Sequence, residues 1–314
     1  MTQDSDIAAV AAVDTLRALV EARMAGKPAG ALDLATALPW LSLIRRPAPT
    51  PAGRGILTPS ACLLVQGEKE MLVGQQVLRY GPGCYVQAGV AMPVSGQVTR
   101  ASADAPYYGI RIDLDPREIA AFLLEMQPAL PAPPCAGADA QVVSVERADK
   151  AMLEVFVRVL RLLERPRDLP VLGRLAKQEL LYHLLTAPGG AALVQGMGGQ
   201  RERAVGDAID WIRTHYNEPL RIDALARAVH MSPSVLHRRF KAATVMSPLQ
   251  YQKQVRLLEA RKRLMSGEAE AASVAYEVGY ESPSQFSREY RRLFGAPPLK
   301  DAQALRGRQE VLQP

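Results

Sequence analysis

The sequence predicts an α+β chain: a β-rich first half, a helical middle and an all-α last third. Three observations predict it. Short apolar runs punctuated by Gly and Pro fill residues 41–115. Apolar residues at helical spacing fill 149–185 and run again from Val205 to about Leu305. Within that last stretch a helix, tight turn and helix occur twice.

Length and composition set the frame. At about 100–200 residues per domain, 314 residues make two domains and a linking element, expected at 1–140, 141–200 and 201–314. Hydrophobic residues, 48% of the chain, suffice for packed cores. No apolar run reaches the roughly 18 residues of a membrane span. The opening Met1-Thr2-Gln3-Asp4-Ser5-Asp6 is polar and acidic, unlike a signal peptide, so a cytoplasmic chain is expected. Cys62, Cys84 and Cys135 are odd in number and far apart, which argues against a disulfide framework and a zinc finger. They read as buried small apolar groups, with a redox-sensing pair as the second reading.

In chain order, residues 6–25 place apolar side chains at helical spacing, and a Pro/Gly/Ala stretch at 26–31 ends that helix. From Leu41 the texture changes. The runs Ala61–Val65 and Met71–Val73 alternate with turn signals at Gln66-Gly67, Val73-Gly74, Gly81-Pro82-Gly83 and Ser95-Gly96, and Tyr107–Leu114 partly alternates. Many short strands with such turns make a sandwich or a small barrel. Residues 127–141, rich in Pro and Ala, read as a connector. Two helices follow. Asp149–Leu163 puts Met152, Val155, Phe156, Val159, Leu160 and Leu163 on one stripe, and Leu172–Thr186 does so with Leu175, Leu180, Leu181, Leu184 and Leu185. These faces are broader than one small barrel needs, so pairing between subunits of a homodimer competes with packing on the barrel. The Gly-rich segment 187–200 reads as a hinge.

The last third carries a weak duplication. Ser232-Pro233-Ser234 returns as Ser282-Pro283-Ser284, Phe240 as Tyr290, and Met246-Ser247-Pro248 as Ala296-Pro297-Pro298. Upstream, Ala226 matches Ala275 and Val229-His230 matches Val278-Gly279. Each copy predicts a first helix (Ile222–Val229, Ala271–Val278), a tight turn, and a second helix opened by a capping Ser with Pro at its first position (Pro233–Ala242, Pro283–Leu293). Gly279 suits a left-handed turn residue, and His230 holds that place in the first copy at some cost. A helix over Leu249–Met265 joins the copies and spans roughly 25 Å, against about 34 Å for one turn of DNA.

This is the helix-turn-helix plan, in which the second helix enters the major groove. Ser234, Val235 and Arg238 share one face of the first reading helix, and Ser284, Gln285 and Arg288 share the matching face of the second. Arg pairs with guanine O6 and N7, and Gln with adenine N6 and N7. Arg239, Lys241, Arg291 and Arg292 are placed for phosphates, while Leu236, Phe240, Phe286 and Tyr290 fall on the core side. The charge agrees: all of the chain's net +6 resides in residues 201–314, the first 200 being neutral. Double-stranded DNA is therefore the expected partner.

Residues 205–304 closely resemble the AraC/XylS family of transcription regulators. The resemblance rests on Met246-Ser247-Pro248-Leu249-Gln250-Tyr251, Arg261-Lys262-Arg263-Leu264, Val278-Gly279-Tyr280-Glu281-Ser282 and Phe294-Gly295-Ala296-Pro297-Pro298. It implies that Ser234, Val235, Arg238, Ser284, Gln285 and Arg288 sit at base-reading positions. Arg221, where family members often have a capping Ser or Thr, and His230, in place of the usual turn Gly, depart from the pattern. Residues 31–126 resemble the cupin-like N-terminal domain of one branch, on Leu41-Ser42-Leu43-Ile44-Arg45-Arg46, Gln66-Gly67-Glu68-Lys69, Arg79-Tyr80-Gly81-Pro82-Gly83 and Met92-Pro93-Val94-Ser95-Gly96. This implies a small β-barrel that senses a ligand or mediates assembly.

The resemblance thus implies a transcription regulator that answers an unidentified small-molecule effector or redox signal and has DNA and RNA polymerase as partners, with activator and repressor both open. Tyr85, Gln87, Met92, Tyr107 and Arg111 are the candidate effector contacts on the expected strands. No catalytic residue, cofactor or metal is expected. The four histidines, His183, His215, His230 and His237, all lie beyond residue 140, which excludes a His-ligated metal in the barrel. Glu68 and Glu70, flanking Lys69, read as a solvated hairpin. The second functional reading is a metal-free cupin-like enzyme or ligand-binding protein with secondary DNA binding; the third is an architectural DNA-binding protein.

Overall fold

The computed structural model describes residues 3–27, 32–74, 76–126, 143–190, 193, 200–266 and 270–310. The expected connector at 127–141, with Cys135, lies outside them, as does most of the Gly-rich segment 187–200. The chain divides into two compact units, one built mostly from residues up to Arg203 and one mostly from Ala204 onward.

The N-terminal unit opens with α1 (Gln3–Met24) and continues through ten strands: β1 (Asp33–Ala35), β2 (Leu41–Arg46), β3 (Gly53–Leu57), β4 (Ser60–Gln66), β5 (Glu68–Val73), β6 (Gln76–Tyr80), β7 (Cys84–Ala88), β8 (Met92–Arg100), β9 (Tyr107–Asp113) and β10 (Val143–Arg147). Helix α2 (Pro116–Met126) precedes β10, and α3 (Lys150–Leu162) and α4 (Leu169–Thr186) follow it. The strands form a six-stranded sheet in the order β1-β2-β9-β4-β7-β10 and a four-stranded sheet in the order β3-β8-β5-β6.

Side-chain alternation gives the larger sheet two different faces. Leu41, Leu43, Ala61, Leu63, Tyr85 and Ile110 lie on one face, within a single apolar core shared with α1, α3 and α4. Helix α1 contributes Leu16, Val20 and Met24; α3 contributes Met152, Val155, Phe156, Val159 and Leu160; α4 contributes Leu180, Leu181 and Leu184. Burial of each such side chain is worth about 1.5–3 kcal/mol. The α3 stripe read from the sequence thus packs within its own chain. Of the α4 residues, Leu175 is half exposed, and Val171, Leu172 and Tyr182 are exposed beside it. Cys62, Tyr107 and Arg111 alternate onto the other face, where Tyr80 of the smaller sheet lies close to Cys62. The two sheets therefore face each other across a second core, as the turn pattern predicts.

The turns at Gly67, Gly74 and Gly83 form with positive φ. Ser95-Gly96 does not turn: it lies inside β8, with Gly96 opposite Met71 and Ser95 opposite Leu72 on β5. A Gly within a strand marks close approach there, and the Lys69 side chain crosses it 3.5 Å from where a Cβ would stand. Strand β10, in a segment expected to link the domains, pairs with β7 and closes one edge of the larger sheet.

The C-terminal unit is helical: α5 (Gln200–Thr214), α6 (Ile222–Ala228), α7 (Pro233–Thr244), α8 (Pro248–Ser266), α9 (Ala271–Glu277), α10 (Pro283–Phe294) and α11 (Pro298–Glu310). Helix α8 serves two cores. Near its start Tyr251 packs edge-on against Phe240 of α7, ring centroids 5.5 Å apart. Farther along, Leu257, Ala260 and Leu264 join Val274, Val278, Phe286 and Tyr290. Between them Arg256 donates to the carbonyls of Tyr216 (2.6 Å), Gly279 (2.7 Å) and Glu218 (2.8 Å), tying three chain segments together.

Candidate nucleic-acid interface

Both expected helix-turn-helix units form, and their turns are built alike. In the first, the Met231 amide donates to the Ala226 carbonyl at 2.8 Å; in the second, the Tyr280 amide donates to that of Ala275 at 2.9 Å. This bond spans a residue in the left-handed region: His230 at φ 53° and Gly279 at φ 88°. Glycine is required at 279, because a Cβ there would sit 2.2 Å from the Asn217 carbonyl oxygen. His230 therefore leaves the turn's geometry intact and adds strain. Arg221 precedes α6 in an extended conformation without a side-chain cap, and so does Glu270 before α9. That departure is common to both units.

Each reading helix is capped as its sequence requires. The Ser232 hydroxyl accepts from the Val235 amide, and the Ser282 hydroxyl from that of Gln285, each at 3.4 Å with Pro in the first turn. Caps fix where α7 and α10 begin, and so which side chains face outward. Leu236, Phe240, Phe286 and Tyr290 are fully buried. Ser234, Arg238, Lys241, Ser284, Gln285, Arg288, Arg291 and Arg292 are exposed, while Val235 and Arg239 are half-buried. The guanidinium groups of Arg238 and Arg288 make no hydrogen bond or ion pair among the described residues, and occupy matching positions on the two helices.

Two predicted base readers are held by neighbours: the Ser234 hydroxyl shares a 3.3 Å hydrogen bond with that of Ser232, and Gln285 is tied to Glu289. Gln285 Nε2 donates to Glu289 Oε1 at 3.4 Å, and Glu289 also accepts from Lys253 Nζ and the Tyr280 hydroxyl, each at 2.9 Å. Burial pushes the Glu289 carboxyl up, and the hydrogen bonds from Lys253, Tyr280 and Gln285 outweigh it, leaving it below the usual range. A second cluster was not anticipated. Arg261 makes a two-pronged ion pair with Asp301 (2.8 and 3.0 Å), the buried Tyr290 hydroxyl donates to the same carboxylate at 2.9 Å, and Phe294 lies 4.5 Å beneath the guanidinium. The only sequence signal for it was a lone Asp in the first turn of α11.

The five candidate effector contacts do not converge. Tyr85 is buried in the core beneath the helices, and Gln87, on the same face, donates to the Ser144 hydroxyl at 3.2 Å. Tyr107 and Arg111 lie on the opposite face, and Arg111 is held by Thr58 (2.6 Å) and Asp113 (2.8 Å). Met92 begins β8 and is fully buried. Cys62 is buried beside Tyr107, and burial raises its thiol above the usual range despite Lys69 and Arg111 nearby. Cys62 and Cys84 are both free thiols. No group of His, Cys, Asp or Glu among the described residues is arranged to hold a metal, and no described helix is long and apolar enough to cross a membrane.

Comparison with known proteins agrees with this geometry. Residues 37–192 match the model of the AraC-type transcriptional regulator N-terminus, and residues 225–303 match a helix-turn-helix domain. The transcriptional activator RhaS of Pectobacterium carotovorum subsp. carotovorum is 28% identical over 123 residues, 39% of this chain and 44% of RhaS. That of Salmonella schwarzengrund is 26% identical over 168 residues, 53% of this chain and 59% of RhaS. The chain thus spans about half the length of these curated relatives. Among solved structures, an apo ToxT variant from Vibrio cholerae superposes with a TM-score of 0.55 at 7% identity, over 84% of this chain and 97% of ToxT, a likeness of fold alone. The chain belongs to the AraC/XylS family of transcription regulators, with an AraC-type N-terminal domain and a C-terminal helix-turn-helix domain.

Proposed function

We propose that this protein is a transcription regulator, of the activator type, that reads duplex DNA with α7 and α10. One observation carries the reading. Two helices with the same serine cap and buried residues at equivalent positions present exposed arginines without partners, Arg238 and Arg288, at matching positions. Arginines so placed are suited to guanine edges. Ser234, Val235, Ser284 and Gln285 complete the reading faces, and Arg239, Lys241, Arg291 and Arg292 serve the phosphates. The reading faces differ in sequence, which favours a specific operator over architectural binding.

The N-terminal unit is the regulatory one. Its effector is a small molecule that binds two states of the regulator unequally, as any such switch requires. The exposed stripe of Val171, Leu175 and Tyr182 on α4, with Leu172 beside it, is the face we assign to a homodimer. RNA polymerase is the partner an activator requires.

Fluorescence anisotropy tests the DNA reading. Duplex from the gene's own upstream region is compared with scrambled duplex at near-physiological salt, using wild type, Arg238→Ala and Arg288→Ala. The expected result is a preference of orders of magnitude for the specific duplex, with about 1–3 kcal/mol lost in each variant. If the upstream fragment is not bound, sites selected from the whole genome replace it. Equal and steeply salt-dependent binding to every duplex would sink the specific reading in favour of an architectural one.

A further inference from the structure

Beside α1 the N-terminal unit holds an open cleft of about 590 Å³, within the size range of small-molecule sites. It lies outside the space between the sheets, and none of the five candidate effector contacts lines it. One wall is a single face of α1, carrying Ala9, Val10 and Val13. Facing it are Val65, Pro82 and Leu153.

The helix wall is anchored lower down. Leu16, Val20 and Met24 are buried in the core, and Arg23 donates to the Leu160 carbonyl at 2.6 Å. Two left-handed glycines shape the opposite side. A Cβ at Gly67 would lie 2.7 Å from the Arg100 carbonyl oxygen, and one at Gly83 would lie 3.5 Å from Val13 Cγ2. The Gly83 turn thus approaches α1 through bare backbone, while the Gly67 turn packs against Arg100 and Tyr107.

The rim is basic. Arg17, Arg100 and Arg147 line the cleft, and Asp14 is its one acidic residue. Arg17 pairs with Asp14 at 3.3 Å and Arg100 with Glu68 at 3.2 Å, both on the exposed surface. Such pairs are weak and exchange readily for a better partner. The guanidinium of Arg147, at the end of β10, makes no hydrogen bond or ion pair among the described residues. The neutral polar groups of the lining are partly committed. Gln66 Nε2 donates to the Pro106 carbonyl at 2.7 Å, and the Ser102 hydroxyl accepts from the Ala105 amide at 3.0 Å. What remains for a ligand is apolar wall, guanidinium N–H and the Ser102 O–H.

We propose that this cleft binds a small organic monocarboxylate with an apolar aliphatic or aromatic body. The body lies between Val10, Val13 and Leu153, and the carboxylate takes the fork of Arg147 with Arg17 and Arg100 beside it. A neutral apolar molecule would leave the basic rim unused, and a purely polar anion would leave the walls wet. The site belongs to the N-terminal unit and the DNA interface to the C-terminal one; its role as the effector site rests on the proposed regulatory function.

The test is calorimetric titration of the full chain with octanoate, phenylacetate and benzoate, each beside its neutral amide. At least one acid is expected to bind in the micromolar to millimolar range and its amide about tenfold more weakly or worse. Arg147→Gln is expected to weaken the acid by a similar factor, and Val13→Trp, which fills the cleft, to abolish binding. Should Val13→Trp misfold, Arg147→Gln and the acid–amide pairs decide alone. Absence of binding by all three acids at millimolar concentration overturns the proposal, and so does binding indifferent to the amide exchange or to Arg147→Gln. Anisotropy with bound acid then separates the two ideas. Binding of the acid without a change in DNA affinity upholds the cleft and removes only its link to regulation.

Discussion

Removing the Asp301 carboxylate probes what holds the second reading helix in place. In Asp301→Ala the Arg261 guanidinium loses a two-pronged partner, and the Tyr290 hydroxyl loses its acceptor. The side chains of the pair are only 19% and 11% exposed, so water cannot replace the lost contacts fully. Breaking a buried pair costs about 3–5 kcal/mol, and orphaning a buried hydroxyl about 1–3 kcal/mol. Partial access to water and the Phe294 ring beneath Arg261 bring the expected loss to the lower end, about 3 kcal/mol. In a unit of roughly a hundred residues that lowers the thermal midpoint by more than about 10 °C. The chain's two tryptophans make the assay selective. Trp211 lies in α5, stacked on His215, and Trp40 lies in the N-terminal unit. In a Trp40→Phe background, denaturant unfolding followed by fluorescence therefore reports the C-terminal unit alone. Asp301→Asn, which keeps an acceptor for Tyr290, is expected to lose about half as much. Glu277→Ala, which breaks an ion pair with Arg263 that is 40–47% exposed, is expected to lose less than about 1 kcal/mol. A loss in Asp301→Ala no greater than that in Glu277→Ala would refute the reasoning.

Further outcomes follow from other features. Val245 ends α7 at φ 60°, where Gly295 ends α10 at φ 82° in open space; Val245→Gly is expected to raise the C-terminal unit's stability by about 1 kcal/mol in the same assay, and a loss would refute the strain. Because the folded Glu289 carboxyl is depressed, its contribution is complete above the ordinary carboxylate value, about 4.3, and is lost as pH falls through the folded value. Glu289→Gln should therefore flatten that acid limb of the stability–pH curve. With Cys135→Ser, a thiol-reactive dye at neutral pH should label Cys84 in the native protein and Cys62 only on unfolding, since Cys62 is buried and its thiol raised. Rapid labelling of both sites would show that the barrel interior opens.

The C-terminal unit was the legible part of the sequence. Serine caps, prolines in first turns and a turn glycine are local signals, and each formed where its residues stand. The strands between Leu41 and Asp113 were legible as a class, because Gly67, Gly74 and Gly83 mark real turns. Ser95-Gly96 misled because a glycine in mid-strand and a glycine in a turn look alike without knowledge of the partner strand. Strand β10 was hidden because a five-residue strand beyond a Pro-rich connector gains its stability from pairing with β7, a contact far away in sequence. The effector candidates failed to converge for the same reason: which face of a strand is covered by helices is settled by tertiary packing. Arg256, Arg261 and Glu289 were invisible as clamps, since a charged residue on a helix reads as solvated until its long-range partner is known.

Helix α8 is one uninterrupted rod, and it is pinned to both halves of its unit. Tyr251 grips α7 near one end, while Lys253, Arg256 and Arg261 grip the second half along its length. A rod without a joint carries phase as well as distance. One residue added within it would turn one reading helix by about 100° relative to the other and shift it by about 1.5 Å. One base pair added between two half-sites turns them by roughly 34–36°. These increments do not match, so no small insertion on one side compensates for one on the other. For a regulator that holds both half-sites at once, the spacing of its operator is written into the length of α8, with no slack to absorb an error.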